Sequence, residues 1–175
     1  MAAVVLAAGA ATRFGAPKQQ LLLPRVLERL EAAGIGDTVV VAGAYELEPA
    51  SPARAVAAPD WERGPGASLR AGLAALPADV GAAVVVLADG PLLAPGAVTR
   101  VVDAWRSRPE DVVAASYGGS RGHPLVIGRG AWSAVPDEGL RALPSVLVAC
   151  DDLGAPGDVD TLADLDALGL EVDED

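Results

Sequence analysis

The segment after the first apolar run combines small residues with two cations. Residues 6–18 read LAAGAATRFGAPK, with Arg13 between Gly9 and Gly15 and with Lys18 at the end. Small side chains let backbone N–H groups come close to an anion, and two cations can offset the charge of a triphosphate. The segment matches neither a Walker A loop nor the dinucleotide-binding fingerprint. It predicts a phosphate-binding loop, with an ordinary turn rich in Gly and Ala as the alternative.

Aspartates at two places could hold a divalent cation. Asp89 ends the most hydrophobic run of the chain, and Gly90 and Pro91 stop a strand there. Asp158 and Asp160 precede the last helical pattern, and either could supply a second carboxylate. Mg²⁺ usually takes one or two protein carboxylates together with phosphate oxygens and water. These residues predict a magnesium site, while capping of a turn or a helix is the alternative role for each carboxylate.

A glycine-rich segment and the single histidine are further candidates. Gly64, Gly66 and Ser68 come before a helical pattern whose N-terminus could face a nucleotide. A Gly-rich turn in which Ser68 caps the helix is the alternative. His123 precedes Pro124, which favours an extended conformation, and a lone histidine is more often a packing or surface residue than a catalyst.

The elements that must position these residues alternate between strand and helix. Nearly continuous Val-rich runs predict buried strands, and apolar residues at helical spacing predict helices between them. The predicted strands are residues 2–6, 38–42, 54–57, 82–88, 112–116, 124–127 and 145–149. The predicted helices are residues 25–33, 67–76, 95–107 and 161–168, the last with Asp160 as a possible cap. This alternation predicts a three-layer α/β/α sandwich with a mostly parallel, Rossmann-like sheet, which binds ligands at the carboxyl ends of its strands.

Length and composition exclude several classes of protein. The chain has 175 residues, of which 51% are hydrophobic and 3% aromatic, so one core built from Ala, Val and Leu is expected. Its apolar runs are too short to span a bilayer, and the start of the chain lacks the features of a signal peptide. One cysteine, Cys150, excludes an internal disulfide and fits a cytoplasmic location.

Charge is unevenly distributed along the chain. The formal net charge is −11, and residues 151–175 carry ten acidic residues and no Lys or Arg. A negative chain is repelled by nucleic-acid phosphates, so no nucleic-acid partner is expected. We expect one domain over residues 1–170, followed by an acidic C-terminal tail at residues 171–175.

Four stretches together resemble a known family. Residues 6–18 resemble the signature L-A-A-G-x-S-x-R-M-G-x-x-K of the MobA-like NTP transferases, especially their molybdenum cofactor cytidylyltransferase branch. Residues 64–72 and 87–92 are similar to its Gly-x-Gly-x-Ser segment and its Asp-x-Pro turn. Residues 119–124 and 158–161 are similar to its Gly-His-Pro and Asp-Ile-Asp-Thr elements. The resemblance covers essentially the whole chain, although Gly90 stands where the family usually has Gln or Met.

The resemblance implies an activity and a role for each candidate residue. A nucleoside monophosphate would move from an NTP, with CTP favoured, to a phosphate-bearing acceptor, molybdopterin, with release of pyrophosphate and use of Mg²⁺. It also implies a molybdoenzyme as a possible partner. The implied roles are Arg13 and Lys18 in catalysis, Asp89 and Asp158 at the metal, Gly122 and His123 at the acceptor, and Leu6, Ala7, Ala8, Gly9, Gly15, Gly64, Gly66 and Ser68 at the nucleotide. Two alternatives stay open: a non-catalytic nucleotide-binding accessory protein for molybdoenzyme maturation, and a sugar-phosphate nucleotidyltransferase.

Overall fold

A twisted sheet forms the middle layer of the protein. The computed structural model describes residues 1–9, 18–110, 112–159, 161–167 and 169. Within these ranges, seven strands pair in the order β3-β2-β1-β4-β6-β5-β7. The strands are β1 (Ala2–Ala7), β2 (Thr38–Ala42), β3 (Arg54–Ala57), β4 (Ala82–Leu87), β5 (Val112–Tyr117), β6 (Ser120–Gly128) and β7 (Val146–Ala149). Strand β6 is antiparallel to both β4 and β5, and every other pairing in the sheet is parallel.

Helices cover both faces of this sheet. They are α1 (Lys18–Ala32), α2 (Pro65–Ala74), α3 (Pro95–Ser107) and α4 (Leu162–Ala167). One core cluster joins alternate β1 residues such as Val5 to Val26 of α1 and Val98 of α3. The other joins Val4, on the opposite face of β1, to Leu69 of α2. Because β1 is buried on both faces, its side chains read as a continuous apolar run rather than an alternating one, and the predicted three-layer sandwich is confirmed.

The start predicted for α1 is wrong by seven residues. The sequence pattern placed it at Arg25, because Val26, Leu27 and Leu30 share one face of a helix that starts there. The helix instead begins at Lys18 and holds Pro24 in its interior, where proline usually costs a hydrogen bond. The buried side chains of Leu22 and Leu23 lie on the same helix, and their packing offsets that cost.

The structure describes the N-terminal residues of α2 and α4. Ser68 is the fourth residue of α2 and is buried, while Gly64 occupies the N-cap position, so the alternative in which Ser68 caps this helix is wrong. At α4, Asp160 lies outside the described residues, so its possible capping role stays a prediction, and Thr161 makes the capping contacts that the structure describes. The Thr161 hydroxyl accepts a hydrogen bond from the backbone N–H of Asp164, whose carboxylate accepts one from the backbone N–H of Thr161. This reciprocal pair is a capping box.

The chain order of the strands creates a crevice between β1 and β4. The chain runs from β1 outward through β2 to β3, then returns to the other side of β1 at β4. Connections that leave two neighbouring strands in opposite directions open a ligand site at the strands' carboxyl ends. These ends are Ala7 and Leu87. None of the helices in the described ranges has the length and apolar character that crossing a bilayer requires.

Candidate active site

Lys18 joins three parts of the chain at the end of β4. Its side chain is 7% exposed, and its ammonium nitrogen Nζ lies 3.2 Å from Oδ2 of Asp89. Nζ also donates a hydrogen bond of 2.5 Å to the backbone oxygen of Val159, whose own N–H donates to the backbone oxygen of Asp89 over 3.3 Å. A buried ammonium needs both a counter-charge and hydrogen-bond acceptors, and it has both here. The structure thus brings together Lys18, Asp89 and the segment that contains Asp158.

The carboxylates at this point fit a hard divalent cation. Asp89 and Asp158 offer oxygen donors only, as Mg²⁺ and Mn²⁺ prefer. The described residues contain no group of three or more His, Cys, Asp or Glu side chains that could hold a metal ion by themselves. The carboxylates among the described residues would therefore share a cation with oxygens from a ligand, such as a triphosphate, or from water.

The first residues of the predicted phosphate loop lie at the end of β1. Leu6 and Ala7 belong to β1, and the backbone oxygen of Leu6 accepts a hydrogen bond of 3.0 Å from Ala88. Ala8 is buried, and the backbone oxygen of Gly9 accepts a 2.8 Å hydrogen bond from the side-chain amide of Gln19. Arg13 and Gly15 lie outside the described residues, so their predicted roles stay predictions.

Gln19 is a candidate that the sequence analysis missed. It follows Lys18 in α1 and is 5% exposed. Its amide nitrogen donates to the backbone oxygen of Gly9, while its amide oxygen Oε1 is buried and has no hydrogen-bond partner among the described residues. Buried polar atoms are nearly always paired, so an orphan acceptor beside the phosphate loop marks a position where a donor is expected. No signal in the sequence separates Gln19 from Gln20, because the difference depends on where each side chain points.

A bulge in β6 carries Gly122 and His123. Ala114 pairs with Leu125, but Ser116 pairs with Arg121, so β6 advances four residues while β5 advances two. The extra residues include Gly122 and His123. Bulges of this kind often re-aim side chains next to functional sites. Because the pairing between β4 and β6 ends at Val85 and Leu125, the two strands separate just before Asp89.

His123 is neutral at ordinary pH. Its pKa is lowered to about 4, chiefly by burial, with Asp89 opposing the change and Arg121 adding to it. Its backbone oxygen accepts a 3.0 Å hydrogen bond from the Tyr117 hydroxyl, and burial raises the pKa of that hydroxyl to about 12. The Tyr117 ring also lies 3.0 Å from where a Cβ on Gly122 would stand, so a larger residue at 122 would press on it. The bulge is therefore held by close packing.

Two cavities meet at the bulge. The aspartate-side cavity, of about 350 Å³, lies between the end of β4, the start of β6 and the Ala155–Asp158 segment. The helix-side cavity, of about 420 Å³, lies between the ends of β1 and β4, the start of α2 and residues 138–141. Both volumes lie in the range of small-molecule sites. The residues that line both cavities are Leu87, Arg121, Gly122 and His123.

Gly64 and Gly66 lie beside the helix-side cavity, against another part of the chain. A Cβ on Gly66 would stand 1.7 Å from the backbone oxygen of Pro136, and one on Gly64 would stand 2.3 Å from that of Asp137. Asp137 forms ion pairs with Arg63 and Arg70. These contacts pack residues 135–141 against α2. The cavity itself is lined by Pro65 and Leu69, which are chain neighbours of the predicted residues Gly64, Gly66 and Ser68. Ser68 is buried.

Arg121 is the second candidate that the sequence analysis missed. Its guanidinium donates hydrogen bonds to the backbone oxygens of Leu140 and Leu143 and lines both cavities. It stands two residues before His123, in a stretch whose resemblance to the family implied roles for Gly122 and His123 and none for the arginine.

The comparison with family models decides the family. Residues 3–151 match the model of the MobA-like NTP transferase domain. The chain belongs to this family. It is therefore a nucleotidyltransferase of the MobA-like type, as the sequence motifs predicted. A search of curated proteins finds no significant match.

Solved structures of similar proteins share the fold of this chain. Rv0371c from Mycobacterium tuberculosis H37Rv is 27% identical, with 95% of this chain and 96% of that chain covered and a TM-score of 0.77. A second structure of Rv0371c, with a TM-score of 0.72, is a complex with manganese. A CMP:2-keto-3-deoxy-manno-octonic acid synthetase complexed with CTP is 14% identical, covers 95% of both chains and has a TM-score of 0.68. At that identity the likeness shows the shared fold alone.

Proposed function

We propose that the protein transfers a nucleoside monophosphate from CTP to the phosphate of molybdopterin and releases pyrophosphate. The observation that carries this proposal is the pair of cavities that share a wall at the end of β4, beside the Lys18–Asp89 ion pair. A transferase of this kind must hold two substrates at once, with the reacting groups in contact. Two adjoining cavities, with this ion pair two residues beyond Leu87 of their shared wall, meet that requirement.

The reaction needs alignment and charge neutralisation rather than a strong base. An oxygen of the acceptor phosphate attacks the α-phosphorus of the triphosphate, and the bond from that phosphorus to the oxygen bridging to the β-phosphate breaks. Pyrophosphate leaves with the electron pair of that bond. The attacking phosphate is already an anion, so no side chain has to remove a proton. This agrees with His123, whose pKa of about 4 suits an uncharged residue of the cavity wall.

Lys18 and the two aspartates supply the charges for this step. Lys18, together with Arg13, would bind the triphosphate and stabilise the pyrophosphate as negative charge develops on it. Asp89 and Asp158 would hold Mg²⁺. When bound, that cation would neutralise phosphate charge and polarise the phosphoryl oxygens. The manganese complex of Rv0371c supports a divalent cation in this family.

The nucleotide is assigned to the phosphate loop and the start of α2. We propose that residues 6–9 and Gly15 contact the phosphates and that Gly64, Gly66 and Ser68 support the nucleoside from behind Pro65 and Leu69, which line the cavity. CTP is favoured by the resemblance to the cytidylyltransferase branch, and the synthetase of the same fold is complexed with CTP. Gly122 and His123 would face molybdopterin, whose product a molybdoenzyme would receive.

Release of pyrophosphate tests this function. The purified protein is supplied with CTP, GTP or ATP, with Mg²⁺, and with or without molybdopterin, and pyrophosphate is measured over time. We expect release that requires molybdopterin and is fastest with CTP. Binding of CTP and Mg²⁺ without release in any combination would contradict the proposal and favour a non-catalytic nucleotide-binding protein. Release with a sugar phosphate, but not with molybdopterin, would contradict the assigned acceptor.

A further inference from the structure

Arg121 places a cation at the junction of the two cavities. It is the second residue of β6 and pairs with Ser116, just before the bulge. Its Nη1 donates to the backbone oxygen of Leu143 over 2.9 Å, and its Nη2 donates to that of Leu140 over 2.8 Å. These two bonds fix the plane of the guanidinium. A guanidinium has five N–H donors, so three of them remain for a further acceptor.

In the part of the chain that the structure describes, no carboxylate pairs with the charge of Arg121. Among the described residues, no Asp or Glu oxygen lies within 4.0 Å of its guanidinium, whereas Arg70 and Arg100 each pair with an aspartate. The side chain is half-buried, and burial lowers its pKa by removing water from the charged form. A partly buried charge is costly unless an opposite charge approaches it. An anion bound at this position would therefore offset the energetic cost of the partly buried guanidinium.

The lining of the cavities shows where this anion would lie. Of the four residues that line both cavities, Leu87, Arg121, Gly122 and His123, Arg121 is the one that carries a charge. The helix-side cavity is also lined by Arg141 and by one carboxylate, that of Glu138. An anion at the wall shared by the two cavities would therefore bind the guanidinium of Arg121.

We propose that Arg121 binds the phosphate of the acceptor, a phosphomonoester, and holds it in line with the α-phosphate of the nucleotide. This inference rests on the proposed function and assigns the side chain that binds the attacking group. Arginine suits the task because its planar fork can donate two parallel hydrogen bonds to a phosphate. A phosphomonoester that is bound in this way keeps its charge, as the attack requires.

Steady-state kinetics with Arg121→Gln and Arg121→Lys test the assignment. We expect Arg121→Gln to raise the KM for molybdopterin by about tenfold or more, the range for loss of a charged hydrogen bond, and the KM for CTP by less than about twofold. Arg121→Lys, which keeps the charge, should recover part of the affinity. Equal changes in both KM values, or an unchanged KM for molybdopterin, would overturn the inference.

A matched control separates anion binding from support of the backbone. Arg129 also donates hydrogen bonds to backbone oxygens, those of Pro77 and Val80, but it lines neither cavity. Arg129→Gln should therefore lower stability without changing either KM. If Arg129→Gln raised the KM for molybdopterin as much as Arg121→Gln does, the effect would be structural and the inference would be wrong.

Binding of inorganic phosphate distinguishes failure of this inference from failure of the proposed function. Calorimetric titration without nucleotide should give a Kd for phosphate that is at least about fivefold higher in Arg121→Gln than in the unaltered protein. If no pyrophosphate is released but this difference is found, the anion site stands and the proposed reaction fails. If pyrophosphate is released but both proteins bind phosphate equally, the reaction stands and the role of Arg121 fails.

Discussion

At the scale of single residues, the site depends on a buried ammonium whose charge is matched within the protein. Lys18 is held by Asp89 and by the backbone of Val159, so its position is set before any substrate arrives. Preorganised charge stabilises a transition state because no reorganisation is needed when charge develops. Variants of Lys18 and of the two aspartates test this arrangement of charges.

Removal of the Lys18 ammonium should reduce turnover. We expect Lys18→Ala to lower kcat by about 10²–10³ because the charge developing on pyrophosphate loses its stabilisation. The measurement is pyrophosphate release at saturating substrates, with a thermal unfolding curve for each protein. Arg29→Ala, an exposed cation on the same helix, serves as the control and should keep the full rate. A Lys18→Ala protein that is folded and fully active would contradict the role given to Lys18.

Replacement of either aspartate by asparagine should weaken metal binding. Asp89→Asn and Asp158→Asn each remove a charged ligand, so the Mg²⁺ concentration for half-maximal rate should rise by at least about tenfold. Rates over a Mg²⁺ titration, repeated with Mn²⁺, measure this. Asp152 is exposed and paired with Arg100 outside the cavities, so Asp152→Asn should leave the titration unchanged. Identical titrations for all the proteins would show that the metal lies elsewhere.

The neutral state of His123 predicts how stability depends on pH. Its pKa of about 4 in the folded protein lies below the ordinary value of 6.5, so the unfolded chain binds a proton that the folded protein excludes. The contribution of His123 to stability is therefore fully present above pH 6.5 and is lost as the pH falls toward 4. Between pH 7 and pH 5 the loss should be about 2 kcal/mol.

Urea unfolding of the unaltered protein and of His123→Gln at pH 7 and pH 5 measures this contribution. The unaltered protein should lose about 2 kcal/mol more than the variant over this interval, since glutamine does not titrate. Equal losses in the two proteins would show that His123 is accessible to protons in the folded state.

At the scale of elements, the helix-side cavity depends on the close approach of α2 to residues 135–141. Gly66 allows this approach, because its N–H donates to the backbone oxygen of Asp137 over 3.0 Å and it has no Cβ to meet Pro136. The ion pairs of Asp137 with Arg63 and Arg70 also stabilise the contact between α2 and residues 135–141. The wall of the cavity is therefore built by packing between segments that lie far apart in the sequence.

A methyl group at Gly66 should separate these segments. In Gly66→Ala the Cβ would stand 1.7 Å from the backbone oxygen of Pro136, so one segment must move. We expect a loss of about 1–3 kcal/mol in the free energy of unfolding, the usual cost of overpacking, measured by urea denaturation. Gly130→Ala is the matched control, because a Cβ on Gly130 meets nothing within 4 Å. Equal stability of the two variants would contradict the packing described for α2.

At the scale of the whole molecule, the layers and most elements could be predicted from the sequence because they depend on local patterns. Strands β2 and β3 and helix α3 have the predicted bounds, since Val-rich runs and helical spacing are visible within a few residues. The start of α1 could not be predicted, because Pro24 is tolerated only through packing that the local sequence does not show. Strand β6 begins at Ser120 rather than Pro124 because its bulge is defined by pairing with β5.

Residues of the candidate site could be predicted from the sequence only where they belong to a family motif. Lys18 and Asp89 meet the segment around Asp158, and all three belong to family motifs that are visible in the sequence. The roles of Gln19 and Arg121 were not visible, because each depends on contacts with distant backbone atoms, such as those of Leu140 and Leu143. Long-range convergence of this kind becomes apparent only when the sheet order and the bulge are known.

The fate of each phosphate of CTP shows directly whether the protein transfers a nucleotidyl group to molybdopterin. CTP with radioactive phosphorus at the α position, or at the γ position, is incubated with Mg²⁺, molybdopterin and the protein, and the products are separated. We expect the α label to enter the molybdopterin product and the γ label to leave in pyrophosphate. Transfer of the γ label to the acceptor, or release of pyrophosphate with no labelled acceptor, would contradict nucleotidyl transfer between the two cavities.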